Sequence, residues 1–167
     1  MRTICAIAVV LLAGCAAAPR AGPSASASLE PKSGTGAHGK LRFTQVGSKV
    51  LVTGEVAGLS PGPHGFHVHE NGDCGGNDAA AAGGHFNPAA QKHGGRANGH
   101  AGDMGNIEAD MYGKADVEVE LNNRSVAEGP NALLGKAVVV HVGPDDLKTD
   151  PAGNSGARIA CGIINKN

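Results

Sequence analysis

Tryptophan is absent, and the only aromatic residues among 167 are Phe43, Phe66, Phe86 and Tyr112. A core must therefore be built from Val, Leu, Ile and Ala. Charge of one sign is also missing. With 14 Lys and Arg against 15 Asp and Glu, the formal net charge is −1. That leaves no global field to attract nucleic acid or anionic lipid, so any steering of a charged partner has to be local. The apolar run from Ile4 to Leu12 is too short to cross a bilayer as a helix. No stretch reads as a helix longer than a turn, and no repeat occurs at a solenoid period. What is present is 27 Gly and 9 Pro, which argues for a loop-rich β protein. The length suffices for one domain with a real core.

The N-terminus reads as a targeting segment, with Arg2 as a charged start and Ile4 to Leu12 as the apolar region of an export signal. The run ends in Leu12-Ala13-Gly14-Cys15, which resembles a bacterial lipobox. That resemblance implies cleavage before Cys15 and acylation of its sulfur. The alternative is an ordinary signal peptide cut after Ala17 or Ala18. The favoured organisation is a signal peptide over 1–14, a flexible Ala/Pro/Gly/Ser tether over 15–24 from lipidated Cys15, and a single domain over 25–167. The lipid would attach the protein to a bacterial membrane, facing the cell envelope or periplasm. Ala16 offers no retention signal, so the outer membrane is favoured. Cys5 leaves with the signal and Cys15 carries lipid. Cys74 and Cys161 remain as an even pair in an exported protein and are expected to form a disulfide.

Period-two alternation marks eight short strands: 25–31, 40–46, 49–56, 64–70, 103–110, 114–121, 136–142 and 158–164. In the sixth, Val117, Val119 and Leu121 alternate with Asp116, Glu118 and Glu120, so one face is acidic and solvated. Gly47-Ser48 is a hairpin signal. Leu59-Ser60-Pro61-Gly62-Pro63 reads as a loop that no ladder can use. Two long connections stand out. Residues 71–101 are rich in Gly, Ala, Asn, Asp and His with almost nothing to bury, and loops of that length are usually functional. Residues 143–157 form a shorter polar loop. These elements fit a β-sandwich or a Greek-key barrel.

The chain is organised around Gly65-Phe66-His67-Val68-His69-Glu70. Side chains two apart on a strand share a face, so His67 and His69 present two imidazoles together while Phe66 and Val68 face the core. An isolated His-x-His is more often a polar strand face than a metal site. Here His85, His93, His100 with Asp103, and His141 follow, and imidazole suits copper, zinc, iron and nickel. His38 and His64 fall outside the pattern and read as solvated surface residues.

Six segments occur in one order: Gly65 to Glu70, Gly83-Gly84-His85-Phe86-Asn87-Pro88, Lys92-His93-Gly94-Gly95, His100-Ala101-Gly102-Asp103, Val140-His141, and Gly156-Ala157-Arg158-Ile159-Ala160-Cys161-Gly162. Together they resemble the copper/zinc superoxide dismutases, in particular their exported bacterial branch, over 25–164. The resemblance implies an all-β, eight-stranded Greek-key barrel or sandwich of immunoglobulin-like kind. It would carry a long metal-binding loop and a short electrostatic loop. It also implies one copper and one zinc per subunit. Copper would be held by His67, His69, His85 and His141, and zinc by His85, His93, His100 and Asp103. His85 would bridge the metals, and Asp145 would link His67 to His93. Cys74 and Cys161 would be the disulfide. His85 and Arg158 would act in catalysis, with Arg158 lining the channel above copper.

The implied reaction converts superoxide to dioxygen and hydrogen peroxide by Cu(II)/Cu(I) cycling and protects the envelope from superoxide made outside the cytoplasm. Superoxide is the expected partner, the lipid is the expected membrane contact, and a homodimer is compatible with the family. Two features depart from many members: 143–157 is short, and Ala152 stands where a channel-wall threonine is expected. The competing class is a non-catalytic copper-binding or copper-storage module on the same fold. A zinc hydrolase ranks last, because this zinc set leaves no open position.

Overall fold

The computed structural model describes residues 21–167. The signal peptide expected over 1–14, the lipidation expected at Cys15 and most of the expected tether lie outside the described residues. Nine strands follow in chain order: β1 Ala21–Pro31, β2 His38–Val46, β3 Lys49–Ala57, β4 Gly62–His69, β5 Asp103–Ala109, β6 Ala115–Asn122, β7 Ala137–His141, β8 Arg158–Ile163 and the two-residue β9 Asn165–Lys166. Among the described residues the helical content is one 3₁₀ turn, Ala80–Ala82, and no helix is long and apolar enough to cross a membrane.

The eight main strands form one antiparallel sheet in the order β5-β4-β7-β8-β1-β2-β3-β6, with β9 on β1. Its end strands, β5 and β6, are consecutive in sequence and lie side by side, so the sheet curls into a nearly closed barrel. The β3–β6 and β4–β7 pairings across long connections give it Greek-key topology.

Alternation explains the packing. On β6 the buried and exposed residues alternate without exception, which puts Val117, Val119 and Leu121 in the core and the acidic side chains outside. Phe43, Phe66, Val52, Val68, Leu121 and Val140 meet in the barrel interior. β7 is buried on both faces. Val138 and Val140 face the core, while Ala137 and Val139 pack outward against Ala79, Ala82 and the Cys74–Cys161 bridge. The long polar loop therefore has apolar footing where it crosses β7.

Three expectations are corrected. β1 begins at Ala21, because Ala21 pairs with Val46 and Ser24 with Thr44, so the tether expected over 15–24 loses its last four residues to the sheet. β4 begins at Gly62, and Pro63 pairs with Glu108. β7 flanks β4 only from Phe66 onward, so the strand has a free edge at Pro63, where a missing N–H is tolerated. His64 is 1% exposed rather than solvated. Its place on β4 turns it inward beneath β7.

Candidate metal centre

Two side-chain clusters share one histidine. One ligand-type atom each from His67, His69, His85 and His141 lie within 4.8 Å of one another, and so do those of His85, His93, His100 and Asp103. All seven side chains are buried. The rings of His67 and His85 stand 4.0 Å apart by centroid.

Strand geometry supplies part of the set. β4 presents His67 and His69 on its outer face, and β7 ends at His141 beside them. The rest comes from the loop, which main-chain bonds hold against β4. The Val68 N–H donates to the Gly102 carbonyl, the Gly102 N–H to that of Phe86, and the Phe86 N–H to that of Val68, each at 2.8 Å. A Cβ at position 102 would run into the Val68 carbonyl, so glycine is required at this close approach.

Four of the rings, His67, His69, His93 and His141, have their outer nitrogen engaged, which fixes their tautomers. His69 Nδ1–H donates to the Gly83 carbonyl at 3.0 Å and His141 Nδ1–H to that of Gly156 at 2.9 Å. His67 Nε2–H and His93 Nε2–H each donate to Asp145, at 2.8 Å, through opposite carboxylate oxygens. Asp145 itself is set by Asn106, whose amide pairs with its backbone in both directions at 2.7 and 3.0 Å. Gly153 makes room for that carboxylate, since a Cβ there would fall on it.

The inner nitrogens have no such partner. His67 Nδ1, His69 Nε2, His85 Nε2, His93 Nδ1, His100 Nδ1 and His141 Nε2 are buried without a hydrogen bond. Buried polar atoms are nearly always paired, and six orphaned lone pairs converging on two points are what two cations would satisfy. His93 Nδ1 and His100 Nδ1 approach Asp103 at 3.1 and 3.3 Å without hydrogen-bond geometry, as ligands around a shared ion would. The residues therefore fit both metals. An all-imidazole set suits copper, and a closed set of three imidazoles and a carboxylate suits zinc.

Protonation states agree with this. Burial pushes His67 down to about 4, His69 to about 2 and His141 to about 3, and it also lowers His100. These rings stay neutral and keep their lone pairs at ordinary pH. Burial alone would raise Asp103 and Asp145. Hydrogen bonds from His85 and the Gly94 and His100 N–H groups outweigh it at Asp103, and those from His67 and His93 do so at Asp145.

Arg158 stands at the open side. Its Nη1 donates to the Ala79 carbonyl and its Nη2 to that of Gly83, both at 2.7 Å. The Gly83 carbonyl therefore takes bonds from Arg158 and His69 together. The guanidinium lines a cleft of about 470 Å³ with Asp78, Ala80, Gly83, Gly84, Gly156 and Ala157. Cys74 and Cys161 are bonded, with 5.8 Å between their Cα atoms.

Four contributors were not legible as motifs. His64 supports His141, Asn106 supports Asp145, Arg124 holds the His100 turn, and Asp150 Oδ1 accepts the His93 main-chain N–H at 2.6 Å. The Asp-Pro dipeptide in a loop was the only sequence signal among them, and it marks a turn rather than a contact.

Comparison with known proteins points one way. A family model described as "Copper/zinc superoxide dismutase (SODC)" matches residues 37–164. A protein named "Superoxide dismutase [Cu-Zn]" from Onchocerca volvulus, a nematode, is 45% identical over 139 residues, covering 75% of this chain and 87% of its own. Among solved structures, the crystal structure of a protein described as the clock protein EA4 superposes with a TM-score of 0.79 at 38% identity, covering 90% of this chain and 97% of that one.

Proposed function

The chain belongs to the copper/zinc superoxide dismutase family, and from that premise we propose which residues carry its activity and where it works. The protein is a superoxide dismutase that uses copper and zinc. When bound, copper supplies the one-electron couple that oxidises one superoxide to dioxygen and reduces a second, with two protons, to hydrogen peroxide, while zinc supplies charge without redox chemistry.

In our assignment His67 Nδ1, His69 Nε2, His85 Nε2 and His141 Nε2 hold copper. His85 Nδ1, His93 Nδ1, His100 Nδ1 and Asp103 hold zinc. The observation that carries this is the set of six orphaned ring nitrogens. His85 is the one ring that belongs to both sets, so its Nε2 would be the ring nitrogen to hold a proton whenever it does not hold copper. Asp145 fixes His67 and His93 in register with each other. Arg158 keeps its charge at any working pH and draws a small anion into the cleft beside His69 and His141.

The setting follows from other features. Arg2, the apolar run 4–12 and Leu12-Ala13-Gly14-Cys15 support export of the bacterial lipoprotein type, with acylated Cys15 anchoring the barrel in the cell envelope, the outer membrane being favoured. The Cys74–Cys161 bond fits an oxidising compartment. β1 starts at Ala21, so residues 16–20 could span at most about 18 Å, which would hold the barrel close to its membrane. Mass spectrometry of the mature N-terminus tests this, since an unmodified terminus downstream of Cys15 contradicts it. Homodimer formation belongs to the same reading and is checked by sedimentation of the anchor-free domain.

The activity assignment is tested on the anchor-free domain loaded with copper and zinc. Wild type should dismute superoxide, and His141→Ala should lose copper and activity together. Arg158→Ala should retain both metals and lose rate by about tenfold or more, the scale of local electrostatic steering. A wild type that binds both metals and shows no turnover above free copper would point to copper storage. An Arg158→Ala variant with full rate would remove Arg158 from the mechanism.

A further inference from the structure

Arg124 lies in the connection between β6 and β7, far in sequence from every metal-set residue except in space. Its side chain spends its donors on main-chain carbonyls. Nε–H donates to Ala101 at 2.7 Å, Nη2–H to His100 at 2.9 Å and Nη1–H to Asn122 at 2.9 Å. Two of these three acceptors belong to the tight turn His100-Ala101-Gly102-Asp103. That turn closes on itself: the Asp103 N–H donates to the His100 carbonyl at 3.1 Å, and the His100 N–H donates to Asp103 Oδ2 at 2.8 Å. It carries two of the four residues assigned to zinc.

The other end of the bridge is anchored. Asn123 takes a positive φ of 57°, which turns the chain at the end of β6 and which asparagine tolerates well. The side chain of Gln45 on β2 then brackets Arg124, donating to its carbonyl at 3.4 Å and accepting the Val126 N–H at 2.9 Å. The Asn131 amide donates to the Asn123 carbonyl at 3.0 Å. The guanidinium is half-buried, and burial lowers its pKa while the nearby Asp103 carboxylate raises it. Outside it lies a small cleft of about 190 Å³ lined by Gln91, Gly99, Ala101, Asn123, Arg124 and Asn131. A shorter side chain at 124 would open that cleft toward the turn and let water reach the carbonyls.

We infer that Arg124 is a positioning residue for zinc, a clamp that ties the His100–Asp103 turn to the barrel wall and so slows release of the ion. The inference rests on the reading of His85, His93, His100 and Asp103 as the zinc set. The three bonds leave three separate nitrogens of one rigid plane, whereas the three donors of lysine leave a single nitrogen and cannot span the same three carbonyls.

The test uses the full domain loaded with copper and zinc, and follows zinc loss to an excess of chelator. Arg124→Met should speed release about 10–100-fold, the usual effect of losing an outer partner of a metal ligand. Arg124→Lys should fall between that variant and wild type. Ser125→Ala removes the hydroxyl that accepts the Glu128 N–H at 3.1 Å, in the same connection and away from the turn, and should release zinc at the wild-type rate. With Co(II) loaded in place of zinc, the visible d–d bands should shift in Arg124→Met and hold in Ser125→Ala. Wild-type release from Arg124→Met overturns the inference, as does equal acceleration in Ser125→Ala, which would mean general loosening of the connection. A wild-type domain that takes up no zinc or Co(II) at these residues overturns the ligand assignment and the clamp together.

Discussion

His64 Nδ1–H donates to the main-chain carbonyl of His141 across 2.7 Å, so a histidine outside both metal sets holds the backbone of one inside. Its Nε2 lies 2.9 Å from the Ser60 carbonyl and 3.2 Å from the Ser60 hydroxyl. The ring is thereby locked between the loop preceding β4 and the end of β7. His64→Phe keeps an aromatic ring and removes these contacts, leaving the His141 carbonyl without its His64 partner. The expected loss is about 1–3 kcal/mol, read from urea unfolding of the metal-loaded domain. An unchanged midpoint would mean that water replaces the ring.

Asp145 holds one ring from each metal set, at 2.8 Å to His67 and 2.8 Å to His93. Asp145→Ala should free both rings and lower zinc affinity about 10–100-fold, measured by competition with a chelator. Retained affinity would show that Asp150, through the His93 main chain, suffices to place that ligand.

Acid should destabilise the metal-stripped domain well above carboxylate pKa values. His67, His69 and His141 are held down to about 4, 2 and 3, whereas each titrates near 6.5 in the unfolded chain. Between pH 6.5 and about 4 the unfolded chain therefore binds protons that the folded one refuses. Stability is complete above 6.5 and falls as pH drops, by about 1.4 kcal/mol per pH unit for each such ring. Urea midpoints at pH 7.5, 6 and 5 check the slope, and a flat profile would contradict neutral buried rings.

The Cys74–Cys161 bond closes a loop of 87 residues, for which chain entropy gives roughly 4–5 kcal/mol of stabilisation. It also caps the apolar patch of Ala137 and Val139. Reduction should lower stability, raise hydrogen exchange within 71–101 and speed zinc loss. Zinc retention identical to that of the oxidised form would separate the disulfide from the metal loop.

What the sequence determined by itself was whatever local periodicity or a contiguous motif encodes. Alternation on β6 is strict because one face of that strand meets the core and the other meets water. His67 and His69 fall on one face for the same reason of period two. The order of His-bearing segments was enough to point to the family and its metals. Cys74 and Cys161 were expected as a pair, and they are bonded.

Tertiary structure decided the contacts between segments distant in the chain. Asn106, Asp150, Arg124 and His64 are ordinary polar residues in sequence. They matter because Greek-key crossings bring β4, β5 and two loops against the backbone of His141, Asp145, His93 and His100. His64 looked solvated because it falls outside the pattern of metal-binding histidines. Its burial depends on β7 ending directly over it, a pairing 77 residues away that no local pattern records. The start of β1 was missed for a related reason. Ala21 to Ser24 carry no strand propensity of their own, and they join the sheet because β2 offers them an edge.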